Sequence, residues 1–454
     1  MRAPRNPGKK RRTKRTVRDL AVYQRSAALA NLRWAAEAVS PPNFPPASIF
    51  SPWALWGWAK IYLPLAFEKK HAFPSDTGPG RALYDLRGDD LRGDGVASEH
   101  AVAGNATTET VRVSLAGDWG TGTAEAQAVA ERMKAFEPHF TIHLGDVYPV
   151  GDARSVNENC LGVRNPKNNY DPVHWPMGSL GSLALNGNHE MFSNGSGYFD
   201  VLLPAMGMME ADGKVSGRAS DRTSDRTSGR TSGRTSGQPT SFFCLQNDDW
   251  QIIGLDTGYN SGGVPILSGI PWVNRIPGIG GDCRLEKSVV DWITNVVAPD
   301  RRQRGLILLS HHQNYSAFED TYRKPAEQLW KAGIRRPVLW FWGHEHRLAG
   351  YDLYGTCELK SYGRCIGHGG MPVERCRPTH GPEPVFYDFR AATNGYGVNG
   401  SVNLTFQGRK LVASYVDMDG IEILREKFIA AEDGAVRLES REKLIDNPDF
   451  PCVK

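Results

Sequence analysis

From about position 110 the chain repeats one pattern of polarity: a short apolar run that stops abruptly at glycine or a polar side chain. The runs are VRVSLAG (111–117), FTIHLG (140–145), LALNG (183–187), WQIIGLDTG (250–258), GLILLS (305–310) and PVLWFWG (337–343). Short apolar runs bounded by turn formers read as strands covered on both faces, and most of the intervals between them are long enough for a helix. The pattern predicts an α/β domain.

Ahead of that region the periodicity differs. Leu29, Leu32, Ala36 and Val39 recur at steps of three and four and predict a helix over 16–39, which Ser40 and Pro41 stop. After PPNFPP (41–46) comes IFSPWALWGWAKIYLPLAF (49–67), with three tryptophans but also Pro52, Lys60 and Pro64. A spanning helix needs about 20 predominantly apolar residues, so an interfacial anchor or a strap packed on the main domain fits this stretch better. Residues 74–106 are rich in Gly and Asp and read as linker. The repeat GRASDRTSDRTSGRTSGRTS (217–236) has no aromatic or large aliphatic residue, cannot bury a core, and reads as a surface insertion. Its Arg-x-Ser spacing could draw a basophilic kinase; drift in a tolerant loop is the plainer reading. The expected organisation is a basic tail, helix and Trp-rich strap or anchor (1–75), a linker (76–109), a main domain (110–425) with a low-complexity insertion (211–240), and a C-terminal extension (426–454).

Composition changes this picture in one respect. Hydrophobic content of 40% and charged content of 23% in 454 residues are ordinary for a soluble globular chain. The net charge of +4, however, is unevenly placed: nine Lys and Arg fall within residues 1–18, with no acid before Asp19, so the remainder carries −5. A basic nucleic-acid groove in the main domain is therefore not expected. The arm reads as a solvated tail, with a nuclear or organellar address, or attraction to anionic lipid or nucleic acid, as sharper alternatives, and residues 1–70 could meet a membrane surface. Seven cysteines show no CxxC and no paired zinc spacing. An odd count without a secretory signal suits a reducing, intracellular setting, although Cys357, Cys365 and Cys376 leave a disulfide open.

The chemistry lies where the runs end. Asp118, Asp146, the pair Asn188 and His189, the pair His311 and His312, and the pair His344 and His346 each follow an apolar run, and glycine precedes the polar residue in four of the five. Ligands of open α/β sheets gather at the carboxyl ends of strands, so these clusters should converge. Two carboxylates, a carboxamide and several imidazoles are costly to bury together without a counter-charge. Mixed oxygen and imidazole donors suit divalent Zn, Mn or Fe. Six donors exceed one tetrahedral site, and two metals about 3.5–4 Å apart are a known device for displacement at phosphorus.

The ordered blocks GDWG, GDVYP, GNHE, SHH and GHEH, over roughly residues 110–350, resemble those of the calcineurin-like metallophosphoesterases. GDWG, with Gly120 where the superfamily usually has His, is closest in style to the purple acid phosphatase branch. The protein Ser/Thr phosphatase branch normally shows GDxHG and GDxVDRG, and this chain shows neither. The resemblance implies a four-layer α/β/β/α sandwich and a phosphatase or phosphodiesterase that uses two divalent metal ions, or an Fe(III)–M(II) pair, to attack a phosphate ester with a metal-held hydroxide. It implies Asp118, Asp146 and His346 on one metal and Asp146, Asn188, His311 and His344 on the other, with Asp146 bridging. His189 resembles the histidine that stabilises the phosphorus centre or protonates the leaving oxygen. The branch places a metal-ligating Tyr three residues after the second Asp. Here that position is Pro149, while Tyr148 shares a face with Asp146 if the backbone is extended, so ligand and core packing both remain open for it. His368, in a Gly-rich loop, is a candidate substrate contact. His312, Asp256, Tyr259 and Glu190 read as structural, and Cys244 and Cys283 as buried small hydrophobes. The competing reading is a metal-binding scaffold without turnover, which meets a membrane or protein through its N-terminal region.

Overall fold

The computed structural model describes Pro64 and residues 69–75, 82–87, 110–167, 171–209, 235–262, 281–301 and 303–453. The helix expected over 16–39, the Trp-rich stretch apart from Pro64, and the repeat up to residue 234 lie outside the described residues.

Each of the six apolar runs forms a strand. Two sheets result. In the first, β2 (Thr110–Ala116) sits beside β3 (Phe140–His143), then β4 (Gly181–Ala184) and β5 (Gly207–Met208). On its other side β2 continues into an antiparallel meander of β14 (Gly400–Gln407), β15 (Lys410–Asp417), β16 (Glu422–Ala430) and β17 (Val436–Lys443). The second sheet begins with β1 (Leu83–Asp85), β6 (Phe243–Gln246), β7 (Trp250–Gly254), β8 (Gly305–Ser310) and β9 (Val338–Trp342). It is completed by β12 (Leu359–Ile366), β10 (Leu348–Gly350) and β13 (Phe386–Tyr387), with β11 (Tyr354–Thr356) paired to β12. Three residues of the stretch read as linker thus form a strand, and position 425/426 falls inside β16.

One apolar core joins the two sheets face to face, with Val113, Leu115, Ile142, Val402 and Leu404 from the first and Ile252, Ile307, Leu309 and Phe341 from the second. Helices cover the outer faces. On the first sheet, α1 (Ala124–Ala135) lays Val129 and Met133 into a second apolar cluster with Trp119, Trp175 and Ala184. On the second sheet, α4 (Lys287–Trp292) and α5 (Lys324–Lys331) bury Val289, Trp292, Ala326 and Leu329; between α1 and α4 in the chain come α2 (Ala153–Asn159), α3 (Asn188–Met191) and a short helical stretch over 198–205. This is the expected α/β/β/α order. It explains why the central strands are apolar throughout: β3, β4, β8 and β9 have no solvent face.

Strand register fixes where the polar ends fall. Ala116 pairs with His143 and His143 with Ala184, all in parallel, so the chain leaves β2, β3 and β4 at one level. Ser310 pairs with Trp342 in the same way on β8 and β9. Among the described residues, no helix is long and apolar enough to cross a membrane.

Candidate metal centre

Three of the residues that follow these strands have left-handed backbones: Asp118 (φ 56°), Asp146 (φ 72°) and His344 (φ 66°). Side-chain-bearing residues pay roughly 1–3 kcal/mol each for such conformations, which cluster at functional sites. The turns also need glycine beside them. A Cβ on Gly187 would collide with Asp146 Oδ1, and one on Gly343 with Asp118 Oδ2, because the backbone runs directly against the two carboxylates.

The six donors meet. Asn188 Oδ1 lies 3.0 Å from His311 Nε2 and 2.9 Å from His344 Nδ1. Asp146 Oδ1 is 3.3 Å from His311 Nε2, and Asp118 Oδ1 is 3.5 Å from His346 Nε2. The peptide N–H of His344 donates to Asp118 Oδ2 at 2.7 Å, and that of His189 to Asp146 Oδ1 at 2.9 Å. His311 turns Nδ1 to the carbonyl of Leu144 (2.9 Å), which leaves Nε2 for the cluster. His189 does the same with the carbonyl of Pro149 (2.7 Å), so its Nε2 faces inward, 3.9 Å from Asp146 Oδ2.

Tyr148 also turns inward. Its hydroxyl is 2.9 Å from Asp118 Oδ1, 3.1 Å from Asp146 Oδ2 and 2.8 Å from His346 Nε2, and its ring lies 4.2 Å from that of His189. Its main chain is tied to the first strand end by Tyr148 N–H to Gly120 O (2.9 Å). The phenol therefore sits among the donors and not in the apolar core. His368 is placed differently. Its ring is buried against Gly400, whose Cβ would lie 3.0 Å from His368 Nε2, and it makes no hydrogen bond to the six donors.

Two residues that the sequence suggested were structural hold this arrangement. Glu190 accepts from the N–H groups of Asp146 (3.1 Å), Val147 (2.8 Å) and Gly187 (2.9 Å), and so fixes the loops that carry Asp146 and Asn188. His312 packs its ring 4.5 Å from that of His344, and His311, His312 and His344 each bring a ring nitrogen within 4.8 Å of the others. The only sequence signals for them were adjacency, Glu190 to His189 and His312 to His311.

Electrostatics follow from this crowding. Burial opposes charge on Asp146, yet His311 and His189 beside it hold its carboxyl well below the usual range. Burial likewise disfavours the His311 imidazolium, but Asp146 outweighs it and lifts His311 to about 9. Burial raises Tyr148 well above its ordinary value, with Asp118 and Asp146 adding to the effect. His344 falls to about 3, through burial and then the neighbouring His311. Among the described residues no Lys or Arg pairs with Asp118 or Asp146, although both are essentially buried. The donor chemistry fits a cation: two carboxylates, a carboxamide oxygen and imidazoles face one another, and a proton is the only positive charge they can supply themselves.

The description calcineurin-like phosphoesterase matches residues 111–348, more than half of the chain. Similar solved structures are distant. GAP50, described as the anchor in the inner membrane complex of Plasmodium, is 13% identical with a TM-score of 0.43, over 70% of this chain and 88% of its own. A purple acid phosphatase, PPD1 from yellow lupin (Lupinus luteus) seeds, is 14% identical with a TM-score of 0.43, over 69% of this chain and 53% of its own. PhoD is 12% identical with a TM-score of 0.40, over 73% and 72%. No curated protein sequence matches. With its ordered blocks now located at the ends of two facing sheets, the chain belongs to the calcineurin-like phosphoesterase family.

Proposed function

We propose that this chain is a dinuclear metal-dependent phosphoesterase acting on phosphomonoesters or phosphodiesters. The observation that supports the reading is the meeting of Asp118, Asp146, Asn188, His311, His344 and His346, with two buried carboxylates that no Lys or Arg neutralises among the described residues. Asp118, Asp146, His346 and the Tyr148 phenol would hold one cation; Asp146, Asn188, His311 and His344 would hold the other. When bound, two such cations (Zn, Mn or Fe) supply the Lewis acidity that makes water nucleophilic near neutral pH and neutralises phosphate.

The chain's own residues set the rest. Asp146 is held from two sides, by the His189 N–H on Oδ1 and by Glu190 on its own N–H, so its carboxylate has one orientation. Asn188 contributes an oxygen without a charge; a third carboxylate there would reduce the positive field offered to an anionic ester. His189 is fixed through Nδ1, so a proton held at Nε2 is the one it can pass to a leaving oxygen. Burial depresses its basicity and Asp146 counters this. Tyr148 at this position is the feature an Fe(III)–M(II) pair would favour.

Elemental analysis of the purified protein, beside its rates on an aryl phosphate and a bis-aryl phosphate, tests this. The expected result is two metals per chain and turnover of at least one ester, abolished in Asn188→Ala. Metal without turnover on either ester would identify a scaffold. An unchanged KM in His368→Ala would remove that residue as a substrate contact. Lipid co-sedimentation with and without residues 1–70 tests the separate expectation of a membrane-surface contact.

A further inference from the structure

His312 is almost entirely buried, at 2% exposure, yet only one of its ring nitrogens is used. The Thr257 hydroxyl accepts from the His312 peptide N–H (3.0 Å) and lies 3.2 Å from Nδ1. The Thr257 hydroxyl has no other acceptor among the described residues, so its hydrogen goes to Nδ1 and the ring proton to Nε2. Nε2 has no hydrogen-bond partner among the described residues. Its surroundings are not those of a core histidine: the rings of His311 and His344 lie 4.8 Å and 4.5 Å away, and half-buried Tyr322 closes the third side at 5.0 Å. Nε2 retains some contact with solvent, so its N–H can be met by water or by a ligand that takes the water's place.

Which ligand does it meet? His311 Nε2 and His344 Nδ1 both converge on Asn188 Oδ1, whereas His312 makes no such contact. Asp146, Asn188, His311 and His344 already furnish four donors to that position, so a cation does not need a fifth. An anion bound beside it does need a donor. We infer that His312, latched by Thr257, is a phosphate-binding residue that donates from Nε2 to a non-bridging oxygen of the ester, with Tyr322 as the adjoining wall toward solvent. This rests on the proposed phosphoesterase reading and assigns it a recognition group outside the metal donors.

The test uses the full-length, metal-loaded protein, with inorganic phosphate as probe in titration calorimetry and metal content measured on the same samples. A hydrogen bond to a charged group is worth about 1.5–3 kcal/mol, so His312→Ala should weaken phosphate binding about 10- to 100-fold while both metals stay bound. KM for an aryl phosphate should rise more than kcat falls. Thr257→Val keeps the imidazole and removes its latch; it should weaken phosphate binding by a smaller factor, and it serves as the test if His312→Ala does not fold. Unchanged phosphate affinity in both variants, or loss of one metal equivalent in His312→Ala, would overturn the inference, as would a metal-loaded parent that binds no phosphate. A parent that binds phosphate but hydrolyses no ester would defeat the phosphoesterase reading and leave the assignment of His312 intact.

Discussion

Two of the places where the described residues bury ionised side chains balance charge in opposite ways. Between the sheets, Glu426 on β16 receives Arg364 from β12 through two hydrogen bonds (2.6 and 2.7 Å), Tyr415 from β15 (2.7 Å) and Arg441 from β17 (2.8 Å). That network is complete: cation, anion and hydrogen-bond donors all belong to the chain. At the strand ends, Asp118 and Asp146 are equally buried but meet imidazoles, a phenol and peptide N–H groups. The first arrangement ties strands together. The second is left short of positive charge, which the proposed cations would supply, even though both are buried and polar.

The comparison can be broken in several ways. The largest effect on stability is expected from Glu426→Gln, which leaves the buried Arg364 guanidinium without a carboxylate while Arg441 keeps Asp352, and should cost about 3–5 kcal/mol in denaturant unfolding, with metal content unchanged. Removing the more weakly held cation with a chelator should lower stability less, by about 2.7 kcal/mol where its free concentration had stood at 100 times its dissociation constant. No change in melting on chelation would mean that the strand-end carboxylates do not depend on a cation. Glu190→Gln should weaken metal affinity about 10- to 100-fold, because the three peptide N–H groups it orients carry the loops of the donors. Unaltered metal binding in that variant would show that those loops are held without it.

The smallest effect concerns acid. Burial opposes charge on Glu426, but Arg364 and Arg441 prevail and hold its carboxyl below the ordinary value of 4.5. Its stabilisation is therefore fully present above that value and is lost as pH falls through the lower, folded-state value. Parent and Glu426→Gln should thus converge in stability as the solution is acidified below about pH 4.5.

How much of this was legible beforehand follows the same physics. The central strands could be found because layers on both faces demand continuous apolar runs, and the donors because each sits where such a run stops. The meander β14–β17 has no such run. In β15 every second residue is buried, Leu411, Ala413, Tyr415 and Asp417, and its partners are less so, which is alternation and not a block. β1 is three residues at a sheet edge, too short to leave a pattern. Tyr148 was ambiguous because its direction depends on a turn outside regular strand geometry. His312 and Glu190 were hidden for a different reason: each stands next to a residue with an obvious role, and only distances separate support from accident.

The donors divide evenly between the two layers. Asp118, Asp146 and Asn188 follow strands of one sheet; His311, His344 and His346 follow strands of the other. Any cation held by both sets acts as a rivet through facing plates and blocks sliding at that edge. Loading it should stiffen the ends of β3 and β8 together, visible as joint slowing of their amide exchange, while the far rim keeps its own freedom to breathe.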